Sequence, residues 1–150
     1  EDMPKTRILF LCTGNACRSQ MAEGFARALK GDVIEAYSAG VAPHPVLPET
    51  VEVMREAGVD ISAQRSKHVR EVLHVPFDYV VTVCDHARET CPVFPGKTKM
   101  VHRGFDDPPG LAVAARTREE ALSHYRRVRD EIRAFVKSLP QALTDKGNRS

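Results

Sequence analysis

Five residues separate Cys12 from Arg18 in Cys12-Thr13-Gly14-Asn15-Ala16-Cys17-Arg18-Ser19, between an apolar run and a helix-forming stretch. The run Arg7-Ile8-Leu9-Phe10-Leu11 reads as a buried strand and residues 19–30 as a helix. Strand, short turn and helix in that order point to a crossover unit and a parallel sheet covered by helices. The turn is chemically particular. Its successive backbone N–H groups can point inward as an anion nest, the helix start adds its positive end, and Arg18 can fork onto two oxygens. Gly14 and Asn15 supply the unusual φ values such a loop needs, and Ser19 can both cap the helix and hydrogen-bond a thiolate. The candidate oxyanion-binding residues are therefore Thr13, Gly14, Asn15, Ala16, Cys17, Arg18 and Ser19, with Cys12 as a thiolate nucleophile facing the anion. A buried structural cysteine beside a surface arginine is the plainer alternative, but Gly14, Asn15, Arg18 and Ser19 all fall where an anion loop needs them.

Further strands are read at 33–38, 79–83 and 100–102, and further helices at 48–57, 69–73 and 119–138. In the last helix Ala121, Leu122, Tyr125, Val128, Ile132, Phe135 and Val136 share one stripe. The order β-α-β-α-β-β-α predicts an α/β fold: a four-stranded parallel sheet flanked by helices on both faces, Rossmann-like. Ligands of such sheets collect beyond the carboxyl ends of the strands, which gathers Cys12, Cys84 and the Asp106-Asp107 loop into one site. Residues 1–139 read as one domain and the polar residues 140–150 as a disordered tail.

A net charge of +2 with scattered basic residues argues against nucleic-acid binding, and no apolar run is long enough to span a bilayer. Glu1-Asp2-Met3-Pro4-Lys5-Thr6 carries no signal-peptide core, so a cytoplasmic chain is expected. Four cysteines in that compartment point to catalytic, redox or metal-binding roles rather than to structural disulfides.

A second pair of thiols, Cys84 and Cys91, follows the apolar run Val80-Val81-Thr82-Val83. Zinc does not match this spacing, because structural zinc sites use closer Cys-x2-Cys or His-x3-His pairs and only His86 lies between the two thiols. If the intervening segment were helical, a rise of about 1.5 Å per residue would part the two Cα atoms by roughly 10 Å, beyond the ~7 Å reach of a disulfide. A bond between them then requires the segment to unwind, and Asp85, Thr90 and Pro92 are read as weakening a helix there.

Cys-x5-Arg-Ser near the N-terminus, after a strand and before a helix, resembles the low-molecular-weight protein tyrosine phosphatase fold family. Adding Cys84, Cys91 and Gly104-Phe105-Asp106-Asp107-Pro108, the pattern looks like the thioredoxin-coupled arsenate reductases within it, over about residues 7–139. That resemblance implies catalytic roles for Cys12, Arg18, Cys84, Cys91 and Asp107. Cys12 would attack arsenate, with Asp107 as general acid; Cys84 would resolve the adduct, Cys91 would take over the disulfide, and thioredoxin would reduce it. Phosphate and sulfate are the expected mimics of the anion. Asp107 also suits plain turn chemistry in Asp-Asp-Pro-Pro-Gly, and Asp106 is read as a neighbouring structural group. Phosphatases of the family place aromatic residues after the proline, whereas Pro109 and Gly110 follow here, which favours a small inorganic anion.

Two further points follow from the resemblance. Some of these reductases bind potassium through an Asn, a Glu, a Ser and an Asp; Asn15, Glu23 and Ser38 match the first three, but the fourth position falls on Lys67, so no cofactor or metal is expected. Cys17 either fills space in the loop or pairs with Cys12 under oxidants to shield it. The alternative reading of the whole chain is a phosphatase-like hydrolase working through phospho-Cys12, with Cys84 and Cys91 as redox regulators.

Overall fold

The computed structural model describes residues 4–144. Four strands, β1 (Thr6–Cys12), β2 (Ile34–Gly40), β3 (Tyr79–Thr82) and β4 (Lys99–His102), form one parallel sheet in the order β2-β1-β3-β4. Five helices flank it: α1 (Arg18–Lys30), α2 (Pro48–Glu56), α3 (Asp85–Thr90), α4 (Pro108–Ala112) and α5 (Arg118–Lys137), with a 3-10 turn at Val69–Val72. The α/β expectation is met, and its physical basis is visible in β1, where Ile8, Leu9, Phe10 and Leu11 are all fully buried. A strand covered on both faces has no polar alternation to display. Each such side chain contributes about 2 kcal/mol of burial free energy, before the ordering entropy that opposes it.

Register sets the site. Cys12 pairs with Gly40, Leu11 with Thr82, and Thr82 with His102, so the carboxyl ends of the four strands finish close to one level. Gly40 is required there, because a Cβ on it would stand 2.6 Å from the carbonyl oxygen of Thr13. Helices α1 and α5 pack on one another, with α2 and α4 against α5. The anticipated stripe of α5 is buried at Leu122, Tyr125, Val128, Ile132, Phe135 and Val136. Phe105, in the segment after β4, meets Phe135 edge to face at 5.9 Å and so ties that segment to α5.

Three local expectations are corrected. A helix does form at Asp85–Thr90: Asp85 occupies its first turn, where a carboxylate suits the positive helix end, so this residue favours the helix it was read as weakening. Pro108 opens α4, a short helix where the sequence reading placed none, because a proline costs nothing at the first helical position. The polar tail does not start at residue 140: residues 141–144 make another helical turn, and Leu139 and Leu143 are fully buried. Residues 145–150 lie outside the described residues. No helix of the described residues is long and apolar enough to cross a membrane.

Candidate active site

The loop between β1 and α1 is held by main-chain bonds to the segment after β2: Ala42 N–H donates to Thr13 O at 2.8 Å, His44 N–H to Gly14 O at 2.8 Å and Leu47 N–H to Ala16 O at 3.1 Å. Asn15, at φ 50°, takes the left-handed turn that points its own N–H at Cys12 Sγ, 3.2 Å away. Asparagine tolerates that conformation better than other side chains. Gly14 does not adopt a positive φ; its small size instead admits His44, whose Cδ2 would lie 3.3 Å from a Cβ there.

Buried polar side chains lead from Glu23 to the nucleophile. The Asn15 amide donates to Ser38 Oγ at 2.9 Å and to Ser19 Oγ at 2.8 Å, and the Ser38 hydroxyl donates to the Glu23 carboxylate. Ser19 Oγ lies 2.8 Å from Cys12 Sγ, and toward a thiolate, which only accepts, the hydroxyl is the donor. A thiolate at Cys12 thus receives two hydrogen bonds, from the Ser19 hydroxyl and from the Asn15 backbone N–H. Ser19 does not cap α1: the helix starts one residue earlier, after Cys17, without a side-chain cap.

Arg18 is anchored from the segment after β4, donating to Phe105 O at 2.9 Å and pairing with the Asp107 carboxylate at 3.3 Å. Of its five N–H donors one is hydrogen-bonded, to Phe105 O. Asp107 precedes α4 but makes no side-chain cap, which leaves its carboxylate over the loop. Asp106 turns away and pairs with Arg127 of α5 at 3.0 Å, a structural role.

Cys12, Thr13, Gly14, Ala16, Cys17, Arg18 and Asp107 line one cavity of about 310 Å³. His44, Leu47 and Pro109 complete its wall, and no phenyl or phenol ring does. The sequence leaves open whether His44, between Pro43 and Pro45, edges the pocket; it does, beside Leu47, because the segment holding them leaves the carboxyl end of β2, next to β1 in the sheet. Cys84 is buried directly behind this loop, its Sγ 3.2 Å from Thr13 Oγ1. Cys91 lies outside the cavity, at the far end of α3, and all four thiols are free. Burial pushes the Cys91 thiol up to about 11 and the Cys17 thiol up to about 12, so neither is a ready nucleophile where it stands.

The potassium ligand set is not reproduced. Lys67 Nζ donates to the carbonyls of Ser38 and Arg65, both at 3.0 Å, while its N–H binds the Asn15 side chain at 3.0 Å. Burial holds its pKa below the usual lysine range, and buried Glu23 pulls the other way. An ammonium already bonded to these carbonyls does not fit a second cation beside it. Among the described residues no cluster of three or more His, Cys, Asp or Glu is arranged to hold a metal.

A strand-end cysteine backed by hydroxyl and amide donors, an amide loop and a tethered arginine give this α/β protein a pocket whose donors can hold a tetrahedral oxyanion against a thiolate. The sequence pattern of the low molecular weight phosphotyrosine protein phosphatases matches residues 7–149, and the chain belongs to that family. Among curated proteins it is similar to the arsenate reductase of Halalkalibacterium halodurans, at 48% identity over 93% of this chain and 98% of that protein. Among solved structures it is similar to an arsenate reductase in its phosphate-binding state, with TM-score 0.70 and 28% identity over 89% of this chain and 95% of the other. A low molecular weight protein tyrosine phosphatase from T. tengcongensis aligns with TM-score 0.68 and 31% identity, covering 90% of this chain and 97% of the other.

Proposed function

We propose that this chain reduces arsenate to arsenite through a relay of Cys12, Cys84 and Cys91, with a thioredoxin-type dithiol protein as reductant. The observation that carries this is the second thiol at the anion loop, Cys84 Sγ against Thr13 Oγ1 at 3.2 Å. A hydrolase working through Cys12 alone has no use for it.

In the first step the Cys12 thiolate attacks arsenic, a Cys12–arsenic bond forms, and one oxygen leaves as water with a proton from Asp107. Arg18 and the loop amides balance the charge of the remaining oxygens. Cys84, as thiolate, then attacks Cys12 Sγ; the sulfur–arsenic bond breaks and its electron pair stays on arsenic, which leaves as arsenite. The two electrons come from Cys12 and Cys84, now joined as a disulfide. Cys91 next attacks Cys84, forming Cys84–Cys91 and releasing Cys12 as a thiolate. Two electrons from the external dithiol restore both thiols by exchange. The cycle starts from free thiols, a state that the reducing cytoplasm maintains.

Lack of a phenyl or phenol ring in the cavity wall supports a small anion over an aryl phosphate. The second reading, a phosphatase with redox-regulated cysteines, shares Cys12, Arg18 and Asp107 and is favoured by the likeness to the T. tengcongensis phosphatase. Arsenate-dependent NADPH oxidation with thioredoxin and thioredoxin reductase, run beside p-nitrophenyl phosphate hydrolysis, separates the two. Sustained arsenate-dependent oxidation is expected; ester hydrolysis without it would establish the phosphatase reading.

A further inference from the structure

Cys84 is the only relay thiol that takes part in every step after capture: it attacks Cys12 and is then attacked by Cys91. Its place is therefore more constrained than that of Cys91. A contact beside Cys84 takes no part in these exchanges. The ring of His102, the last residue of β4, contacts residues on both sides of Cys84. Its Nδ1 lies 2.8 Å from Thr82 Oγ1, two residues before Cys84, and its Nε2 lies 3.0 Å from Asp85 Oδ1, one residue after. An ionised carboxylate only accepts, which puts the ring proton on Nε2; a neutral ring then accepts the Thr82 hydroxyl proton at Nδ1.

The two ends of α3 differ in how they are held. At the first end Cys84 is buried, touches Thr13, and is flanked by the two residues that His102 binds. At the other end Cys91 is half-buried, its thiol reaches only its neighbour Pro92 O at 3.4 Å, and Val93 is 94% exposed. Cys91 and His102 face one cavity of about 530 Å³, whose wall also includes Thr82. Because helical rise along α3 parts the Cα atoms of Cys84 and Cys91 by roughly 10 Å, beyond the ~7 Å reach of a disulfide, it must open for the second exchange. Gly104 leaves room for the ring: a Cβ there would stand 3.2 Å from His102 Nε2 and 3.7 Å from Asp85 Oδ1.

We propose that His102 is a positioning residue of the relay, whose ring clasps Thr82 and Asp85 and keeps Cys84 at the anion loop while the rest of α3 unwinds toward it. In that exchange the Cys91 thiolate attacks Cys84 Sγ, the Cys84–Cys91 bond forms, the Cys12–Cys84 bond breaks and Cys12 departs as thiolate; no net electrons move. The clasp ensures that Cys91 travels and Cys84 stays. This inference rests on the relay reading of the function.

The test is rapid-quench single turnover with arsenate, following the Cys84–Cys91 peptide by mass spectrometry in wild type, His102→Ala, His102→Gln, Asp85→Ala and the double variant. The phosphate dissociation constant, from protection of Cys12 against iodoacetamide, is the second readout. Loss of the clasp should slow formation of the Cys84–Cys91 bond about tenfold, as misplacement of a reacting group does, with phosphate affinity unchanged. His102→Gln retains a donor near the Nε2 position and should recover part of the rate. The double variant should be no slower than His102→Ala, because the Asp85–His102 contact is already lost in that single variant. Asp85 is an exposed surface residue, so Asp85→Ala tests the clasp even if His102→Ala does not fold. Unchanged exchange in Asp85→Ala, or a parallel loss of phosphate affinity, overturns the proposal. Cys91→Ser is measured alongside: if it turns over repeatedly, the relay itself fails, whereas a stalled Cys91→Ser beside an unaffected Asp85→Ala sinks the clasp alone.

Discussion

Thr13 Oγ1 and Cys84 Sγ stand 3.2 Å apart, so the first residue of the anion loop after the nucleophile is also the neighbour of the second thiol. In the proposed relay this one hydroxyl joins capture to resolution. In Thr13→Val the shape is nearly kept and the hydroxyl lost. Single-turnover arsenite release should slow about tenfold while phosphate affinity holds, since only the placement of Cys84 changes. Equal release rates in variant and wild type would remove Thr13 from the relay.

Arg18→Lys replaces a tethered fork by a point charge. The guanidinium spans Phe105 O and Asp107 while keeping donors for the anion, and an ammonium cannot do both. Steady-state kcat/KM for arsenate should fall by about a hundredfold, the usual cost of losing an oxyanion donor. A loss of less than about threefold would contradict the assigned pocket.

Lys67, at the position where the potassium-binding reductases carry an aspartate, places its ammonium on the carbonyls of Ser38 and Arg65. The melting temperature of the wild type should be the same in potassium and choline chloride, whereas Lys67→Asp should be stabilised by potassium alone, since a cation that binds only the folded state raises its stability. A potassium-dependent wild type would show that the lysine does not take the ion's place.

Burial pushes the Cys17 thiol from an ordinary 9.0 up to about 12. The fold thus favours the neutral thiol, and its contribution to stability is complete below about pH 9 and is lost as pH rises through about 12. Urea denaturation of Cys17→Ala at about pH 8 and about pH 10.5 should show a smaller alkaline loss than wild type. Identical losses would mean that Cys17 ionises as freely in the fold as outside it.

How much could be read from the chain depended on the kind of signal. Ile8 to Leu11 and Val80 to Val83 show as strands because a sheet covered on both faces demands unbroken apolar runs, and α5 shows because one helical stripe is buried. The carboxyl-end rule brought Cys12, Cys84 and Asp107 to one end of the sheet and, applied also to β2, finds His44 and Leu47. Helices α3 and α4 were not legible: at six and five residues they span less than two turns, and their limits are set by contacts made elsewhere, such as Asp85 with His102. Nor did Leu143 announce itself, since a lone leucine among polar residues is buried only because the core behind it leaves room.

The relay is tested most directly by the fate of its sulfurs after one turnover. Reduced wild type given a single equivalent of arsenate, quenched, alkylated and digested, should yield one arsenite, a Cys84–Cys91 disulfide and an alkylatable Cys12; Cys91→Ser should stop after one arsenite as Cys12–Cys84, and Cys84→Ser should give no turnover. Full thioredoxin-linked turnover by Cys84→Ser or Cys91→Ser, or arsenite release with Cys84 and Cys91 still free thiols, would contradict the three-thiol account.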